Sequence, residues 1–251
     1  FIAKAHPEAA DIFVIAVPTP FYKDVNNIPS PNLDYVFSAS IECSKYLKEG
    51  NLILLESTSP VGTTKQIKKE IEKRVEFDIN ELNIAYCPER VIPGKIMKEL
   101  VENDRVIGGI NKKSSIVAKN FYQSFCKGNL SITNSETAEM VKLIENSYRD
   151  VNLAFANEIS IISDKQGINI TELINLANHH PRVNILQPGC GVGGHCIAVD
   201  PWFIAAQNKE ESQLIQVARK VNDNKSKWVI KKIMEREKVL NKELKRKPVI
   251  G

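Results

Sequence analysis

From residue 11 onward, short apolar runs alternate with longer stretches in which apolar residues recur every three or four positions. The runs DIFVIAV (11–17), NLILLE (51–56), LNIAYC (82–87), DRVIGG (104–109) and LSIT (130–133) read as strands. Between them, Leu33, Val36, Phe37, Ile41 and Leu47 mark one helix and Ile67, Ile71 and Val75 a second, while KIMKELV and SSIVAKNFYQSF supply two more. The strand runs are almost continuously apolar, the pattern of a parallel sheet covered by helices on both faces. The pattern predicts an α/β fold, with a partial doubly wound, Rossmann-like parallel sheet over residues 1–133.

Beyond residue 133 the period changes. Val141, Ile144, Tyr148, Val151, Phe155, Ile159 and Ile162 predict one long amphipathic helix. Ser135 is placed as its N-cap, with Glu136 and Glu139 near the positive end of its dipole. NITELINLAN and ESQLIQVARKVNDNKSKWVIKKIMER predict two further helices, so residues 134–236 read as a helical central domain. Residues 237–251 read as a linker, with KPVIG opening a new strand. A nucleotide-binding sheet of this kind opens with a strand and a GxGxxG turn, whereas this sequence starts just before a strand placed in mid-sheet. The expectation is a piece of a longer polypeptide.

Composition narrows the class without changing the fold. The 251 residues are 43% hydrophobic and 25% charged, and no apolar run approaches a membrane span. Five scattered cysteines without a CxxC pair suit a reduced protein, and the expectation is a cytoplasmic one. The net charge of +4 is local, because residues 225–247 hold ten Lys or Arg against three Glu. Lacking aromatic interleaving, that run reads as a solvated helix face, and neither nucleic acid nor membrane is an expected partner.

The chemistry concentrates in PGCGVGGHCIAVDPWF (188–203). Glycines before Cys196, including Gly193, leave its backbone and side chain open to close approach, and an accessible thiol in a polar loop is a candidate nucleophile. Cys190, His195 and Cys196 with His179 and His180 lack metal-ligand spacing, so no metal is expected and the paired histidines read as a helix end. On the long helix, Lys142 and Asn146 share a face and could hold an oxyanion together. CPERVIPGK places Glu89 and Arg90 after a strand, with Glu89 a candidate general base. VPTP (Val17, Pro18, Thr19) and ESTSPVGTT (Ser57, Thr58, Thr63, Thr64) end two other strands, the latter at a helix N-terminus suited to anions. All three strand ends point to one crevice, where α/β sheets bind ligands.

Taken in order, VIAVPTP, ESTSPVGTT, CPERVIPGK, AEMVKLIENSYRDVNLAFANE, NHHPRVNIL and PGCGVGGHCIAVDPWF resemble the UDP-glucose/GDP-mannose dehydrogenase family. The resemblance implies NAD as cofactor, held by Val17, Pro18, Thr19, Ser57 and Thr58, and a UDP-sugar oxidised at C6 from alcohol to carboxylate through a thioester on Cys196. It implies that Lys142 and Asn146 stabilise the oxyanion, that Glu89 serves thioester hydrolysis, and that Thr58 and Asp200 hold a water and position the lysine. Glu89, Arg90, Lys142, Asn146, Arg182 and Gly193 fall to the substrate, with Arg182 supplied across a homodimer. AVDPWF after the cysteine implies UDP-N-acetyl-D-mannosamine as substrate, and Val199, where UDP-glucose members carry Lys, argues against UDP-glucose. Cys190 replaces a more usual residue and places a second thiol near the first. Other UDP-sugars, a non-catalytic dimerisation module and an NAD-independent cysteine hydrolase are the competing readings, and the choice of NAD over NADP rests on residues outside this sequence.

Overall fold

The computed structural model describes residues 2–22, 28–194 and 196–249. It divides into two compact units, Phe1–Glu145 with Trp202–Gln207, and Asn146–Pro201 with Asn208–Gly251.

The first unit is built on a five-stranded sheet of β1 (Ile12–Ile15), β4 (Leu52–Leu55), β5 (Asn83–Tyr86), β6 (Arg105–Gly109) and β7 (Leu130–Asn134), side by side in that order. A small antiparallel pair, β2 (Phe21–Tyr22) and β3 (Ser30–Pro31), precedes α1 (Asp34–Ser44). Then come α2 (Thr63–Glu72), a 3-10 turn at Ile79–Glu81, α3 (Ile96–Glu102) and α4 (Lys112–Gln123). Every residue of β4 and β5 is buried, which explains why β4 is wholly apolar and β5 carries only Asn83 and the Tyr86 hydroxyl as side-chain polar groups. Alternate side chains serve opposite faces. Ile53, Leu55, Ile84 and Tyr86 pack with Val36 of α1 and Ile67 and Ile71 of α2, whereas Leu52, Leu54 and Ala85 pack with Ala118 and Tyr122 of α4. Helices therefore cover both faces, as a doubly wound sheet requires.

Several details depart from the sequence pattern. β1, β4 and β5 are mutually parallel, but β6 runs antiparallel to β5 because residues 87–104, with α3, return the chain at the same end of the sheet; β7 is parallel to β6. Among the described residues, β1 pairs with β4 alone. α1 ends before Leu47 and α2 before Val75; both still cover the core. At Gly108 of β6, an added Cβ would lie 2.3 Å from the Asn134 carbonyl and 2.6 Å from Ala138 Cβ, so only glycine lets the start of the next helix come this close.

That helix, α5, runs from Ser135 to Gln166, and α8 from Gln213 to Leu244. Asn134, not Ser135, supplies the N-terminal cap of α5: its Oδ1 accepts from Thr137 N at 2.8 Å, while the Ser135 hydroxyl donates to Glu136. The second unit contains α5 from Asn146 onward, α6 (Ile170–Ala177), the glycine-rich loop and α8. His179 and His180 lie exposed at the end of α6, their amides bonded to Leu176 and Ala177 carbonyls. α8 continues through residue 236 to Leu244, and Lys247–Val249 are not in a strand; Ile250 and Gly251 fall outside the described residues. The Lys and Arg side chains of the basic run, on α8 and the three residues after it, are exposed except for Lys225, which is buried against Ser160 and Trp228.

Candidate active site

In the first unit, the parallel pairing of β1, β4 and β5 puts their carboxyl ends on one edge. Ser57 locks two of these ends together: its hydroxyl accepts from Val17 N at 2.8 Å and donates to Val17 O at 2.7 Å. Thr58 and Thr19 are half-buried and Pro18 is exposed at the same edge. The N-terminus of α2 is an anion site, and its anion is internal. Gly62, its N-cap residue, has a left-handed backbone and no side chain to cap with. Instead, the fully buried Glu139 of α5 accepts from Gly62 N at 2.6 Å, Thr64 N at 2.7 Å and the Thr64 hydroxyl at 2.6 Å. Burial pushes the Glu139 carboxyl up, and these donors pull it back. Glu139 thus serves the dipole of α2, not of its own helix.

The third strand end carries Glu89 and Arg90. Glu89 is exposed, and its carboxylate accepts from Val91 N. The Lys142 ammonium donates to the Glu89 main-chain carbonyl at 2.7 Å, so α5 and the CPER loop meet through two of the expected site residues. Arg90 forks onto Glu145, a partner the sequence pattern did not indicate.

Behind these strand ends lies a buried cluster. The Tyr122 hydroxyl donates to Glu56 at 2.6 Å, Arg105 stacks over the Tyr122 ring at 4.7 Å, and Arg105 Nη1 approaches Cys87 Sγ at 3.9 Å. Burial pushes the Cys87 thiol up to about 11 and raises Tyr122 as well.

In the second unit, Cys196 is exposed, and its carbonyl accepts from Val199 N at 3.0 Å and Asp200 N at 2.9 Å. The thiol therefore stands on the turn that leads into α7 (Asp200–Gln207). Asn146 Nδ2 donates to Asp200 Oδ2 at 2.6 Å, with both residues buried. The glycine-rich loop that precedes Cys196 hangs on a polar chain linking α5 and α8. Gly189 N donates to Asn157 Oδ1 at 2.9 Å, Asn157 Nδ2 to Asn222 Oδ1 at 2.8 Å, and Asn222 Nδ2 to Asp150 Oδ1 at 2.8 Å. Arg219 closes the chain with a 2.6 Å pair to Asp150. Burial raises the Asp150 carboxyl and Arg219 opposes that shift.

The Ser226 hydroxyl donates to the Cys190 carbonyl at 2.8 Å, and at Gly191, with φ of +127°, a Cβ would meet the Ser226 hydroxyl oxygen at 2.5 Å. Gly193 faces open space, Arg182 is exposed, and Cys190 is a second exposed thiol. His195 lies outside the described residues. None of the linking residues Glu145, Asn157, Asn222 or Arg219 was legible as functional, because each acts only through a partner distant in sequence.

A mostly parallel, Rossmann-like sheet followed by a helical region that carries an exposed cysteine on a glycine-rich loop defines an α/β protein of the nucleotide-binding type. Two family models match it: the NAD binding domain of the UDP-glucose/GDP-mannose dehydrogenase family over residues 2–126 and the central domain of that family over residues 136–224. The chain belongs to the UDP-glucose/GDP-mannose dehydrogenase family. It is 56% identical over 244 residues to the UDP-N-acetyl-D-mannosamine dehydrogenase of Campylobacter jejuni, covering 94% of this chain and 59% of that protein. With the Escherichia coli (strain K12) enzyme of the same name it shares 54% identity over 92% of this chain and 56% of the relative. A solved UDP-D-ManNAc dehydrogenase from Pyrococcus horikoshii superposes with a TM-score of 0.85 at 40% identity, covering 93% of this chain and 55% of that one. The chain thus spans little more than half the length of the relatives it matches.

Proposed function

We propose that this chain provides the NAD-binding and catalytic parts of a 6-dehydrogenase that oxidises UDP-N-acetyl-D-mannosamine to the uronate. The observation that carries the reading is the buried Asn146–Asp200 bond beside the turn bearing the exposed Cys196: two residues expected to serve one reaction are joined in the fold. The similarity to mannosamine dehydrogenases from several organisms supports the substrate.

The crevice at the ends of β1 and β4, where Val17, Pro18, Thr19, Ser57 and Thr58 gather, has the parallel-strand geometry that α/β sheets use for dinucleotides. Two NAD bound there in succession would each accept one hydride, one per oxidation. Lys142 takes the proton as the C6 alcohol becomes an aldehyde. The Cys196 thiolate adds to that carbonyl, forming a C–S bond, while the Lys142 ammonium and the Asn146 amide hold the resulting oxyanion. Loss of a second hydride leaves a thioester, and Glu89 takes a proton from the water that attacks it, releasing carboxylate and restoring the thiol. Arg90, Arg182 and Gly193 fall to substrate binding, and the molecule works as a homodimer.

The full-length polypeptide should form two NADH per UDP-N-acetyl-D-mannosamine. Cys196→Ala should stop acid formation, and Glu89→Gln should accumulate an NAD-dependent thioester visible by intact-protein mass spectrometry. Turnover of UDP-glucose without turnover of the mannosamine nucleotide would sink the substrate assignment.

A further inference from the structure

Glu145 has no role in the chemistry proposed above, and Arg90 was expected to meet substrate. In the fold they meet each other. Arg90 Nε donates to Glu145 Oε2 at 3.2 Å and Nη2 donates to Oε1, a side-on fork, while Nη1 donates to the Asp104 carbonyl at 3.3 Å. The Arg90 carbonyl in turn accepts from Asn103 Nδ2 at 2.9 Å. All three guanidinium nitrogens are therefore engaged within the first unit.

The two side chains are 23% and 40% exposed, so the pair adds little to global stability. What a forked pair does supply is direction, because two parallel bonds fix orientation as well as distance. One residue earlier, the Glu89 carbonyl accepts from Lys142. Consecutive loop residues are thus tied to two helix residues three positions apart, which share a face of α5. Asn103 and the Asp104 carbonyl hold Arg90 toward α3 and β6, and the fork on Glu145 is the side-chain contact that ties Arg90 to α5. With the Lys142 contact it fixes this stretch of the loop against that helix at two points instead of one.

We infer that Glu145 is a positioning residue: its fork on Arg90 holds the CPER loop against α5, so that Glu89 and Lys142 keep the mutual placement their chemistry needs. The inference rests on the dehydrogenase reading for its consequence, but not for the tether itself.

The experiment compares Glu145→Ala, the near-isosteric Glu145→Gln and the charge-exchanged pair Arg90→Glu with Glu145→Arg, all in the full-length polypeptide. Amide hydrogen exchange over residues 89–92 should accelerate in both single variants and slow again in the exchanged pair. With UDP-N-acetyl-D-mannosamine, kcat should fall about tenfold to a hundredfold in Glu145→Ala, as loss of catalytic alignment predicts, with KM changed by less than about threefold. The exchanged pair should recover most of the lost kcat. Unchanged exchange in both single variants would overturn the tether. Faster exchange with unchanged kcat, or a loss confined to KM that the exchanged pair does not rescue, would overturn the positioning role and return Arg90 to the substrate. If the unsubstituted protein forms no NADH, the dehydrogenase reading fails on its own and the exchange data still decide the tether. If Glu145→Ala fails to fold, Glu145→Gln carries the comparison.

Discussion

At the scale of single residues, the protein separates its thiols by environment. Cys190 and Cys196 are exposed, whereas Cys87 is fully buried against Arg105 and pushed up to about 11. A thiol with a raised folded value favours the native state while neutral. Its contribution is complete below its ordinary value of 9.0 and is lost as pH climbs toward about 11. Stability of the unsubstituted protein should therefore fall more steeply between those limits than that of Cys87→Ala, as measured by urea denaturation at a series of pH values. A parallel slope in the two proteins would refute the assignment. At pH 8, iodoacetamide should label Cys190 and Cys196 in the folded protein and spare Cys87, since reactivity requires both thiolate and access.

At the scale of elements, α2 is completed from outside itself. α2 begins at a glycine that offers no cap, and Glu139 from α5 supplies the acceptor for two backbone amides and one hydroxyl. Glu139→Ala should cost about 2–3 kcal/mol in urea unfolding, because it removes a cap and leaves buried donors unpaired; Glu139→Gln, which keeps one acceptor, should cost less. Equal losses in the two variants would mean that packing, not capping, is the role of this side chain. In the second unit, Asn157, Asn222, Asp150 and Arg219 couple α5 to α8 and suspend the loop that leads to Cys196. The glycine-rich loop is held by amides and carbonyls, so its sequence shows the glycines and hides their support.

At the scale of the whole molecule, the boundary between the two units falls inside α5 and again inside α7. The long helices leave apolar side chains uncovered: Tyr148 at 69% and Phe155 at 51% exposure on α5, with Val217, Ile230 and Ile233 exposed on α8. Large apolar side chains left exposed along helices are candidates for an association surface. The proposed homodimer should appear in sedimentation velocity. Substituting Tyr148 and Phe155 together by Lys should shift it to monomer without loss of helical circular dichroism, because both side chains already face solvent in the single chain. A monomer before substitution would remove the homodimer from the proposal.

What the sequence by itself determined is whatever depends on neighbours along the chain. Apolar runs and three-to-four periodicity set the strands, the long helices and their order, since burial on one face or two leaves its mark within ten residues. The same holds for Cys196 in its glycine-rich loop and for Lys142 and Asn146 one turn apart. Only the tertiary structure decided that β6 turns antiparallel, that Asn134 and not Ser135 caps α5, that Glu139 fills the anion site of α2, and that Arg90 forks onto Glu145. Each of these joins groups that are distant in sequence or have equally suitable neighbours. A carboxylate or guanidinium takes whichever buried donor or acceptor the packed core brings within about 3 Å, and no local pattern specifies which one that will be.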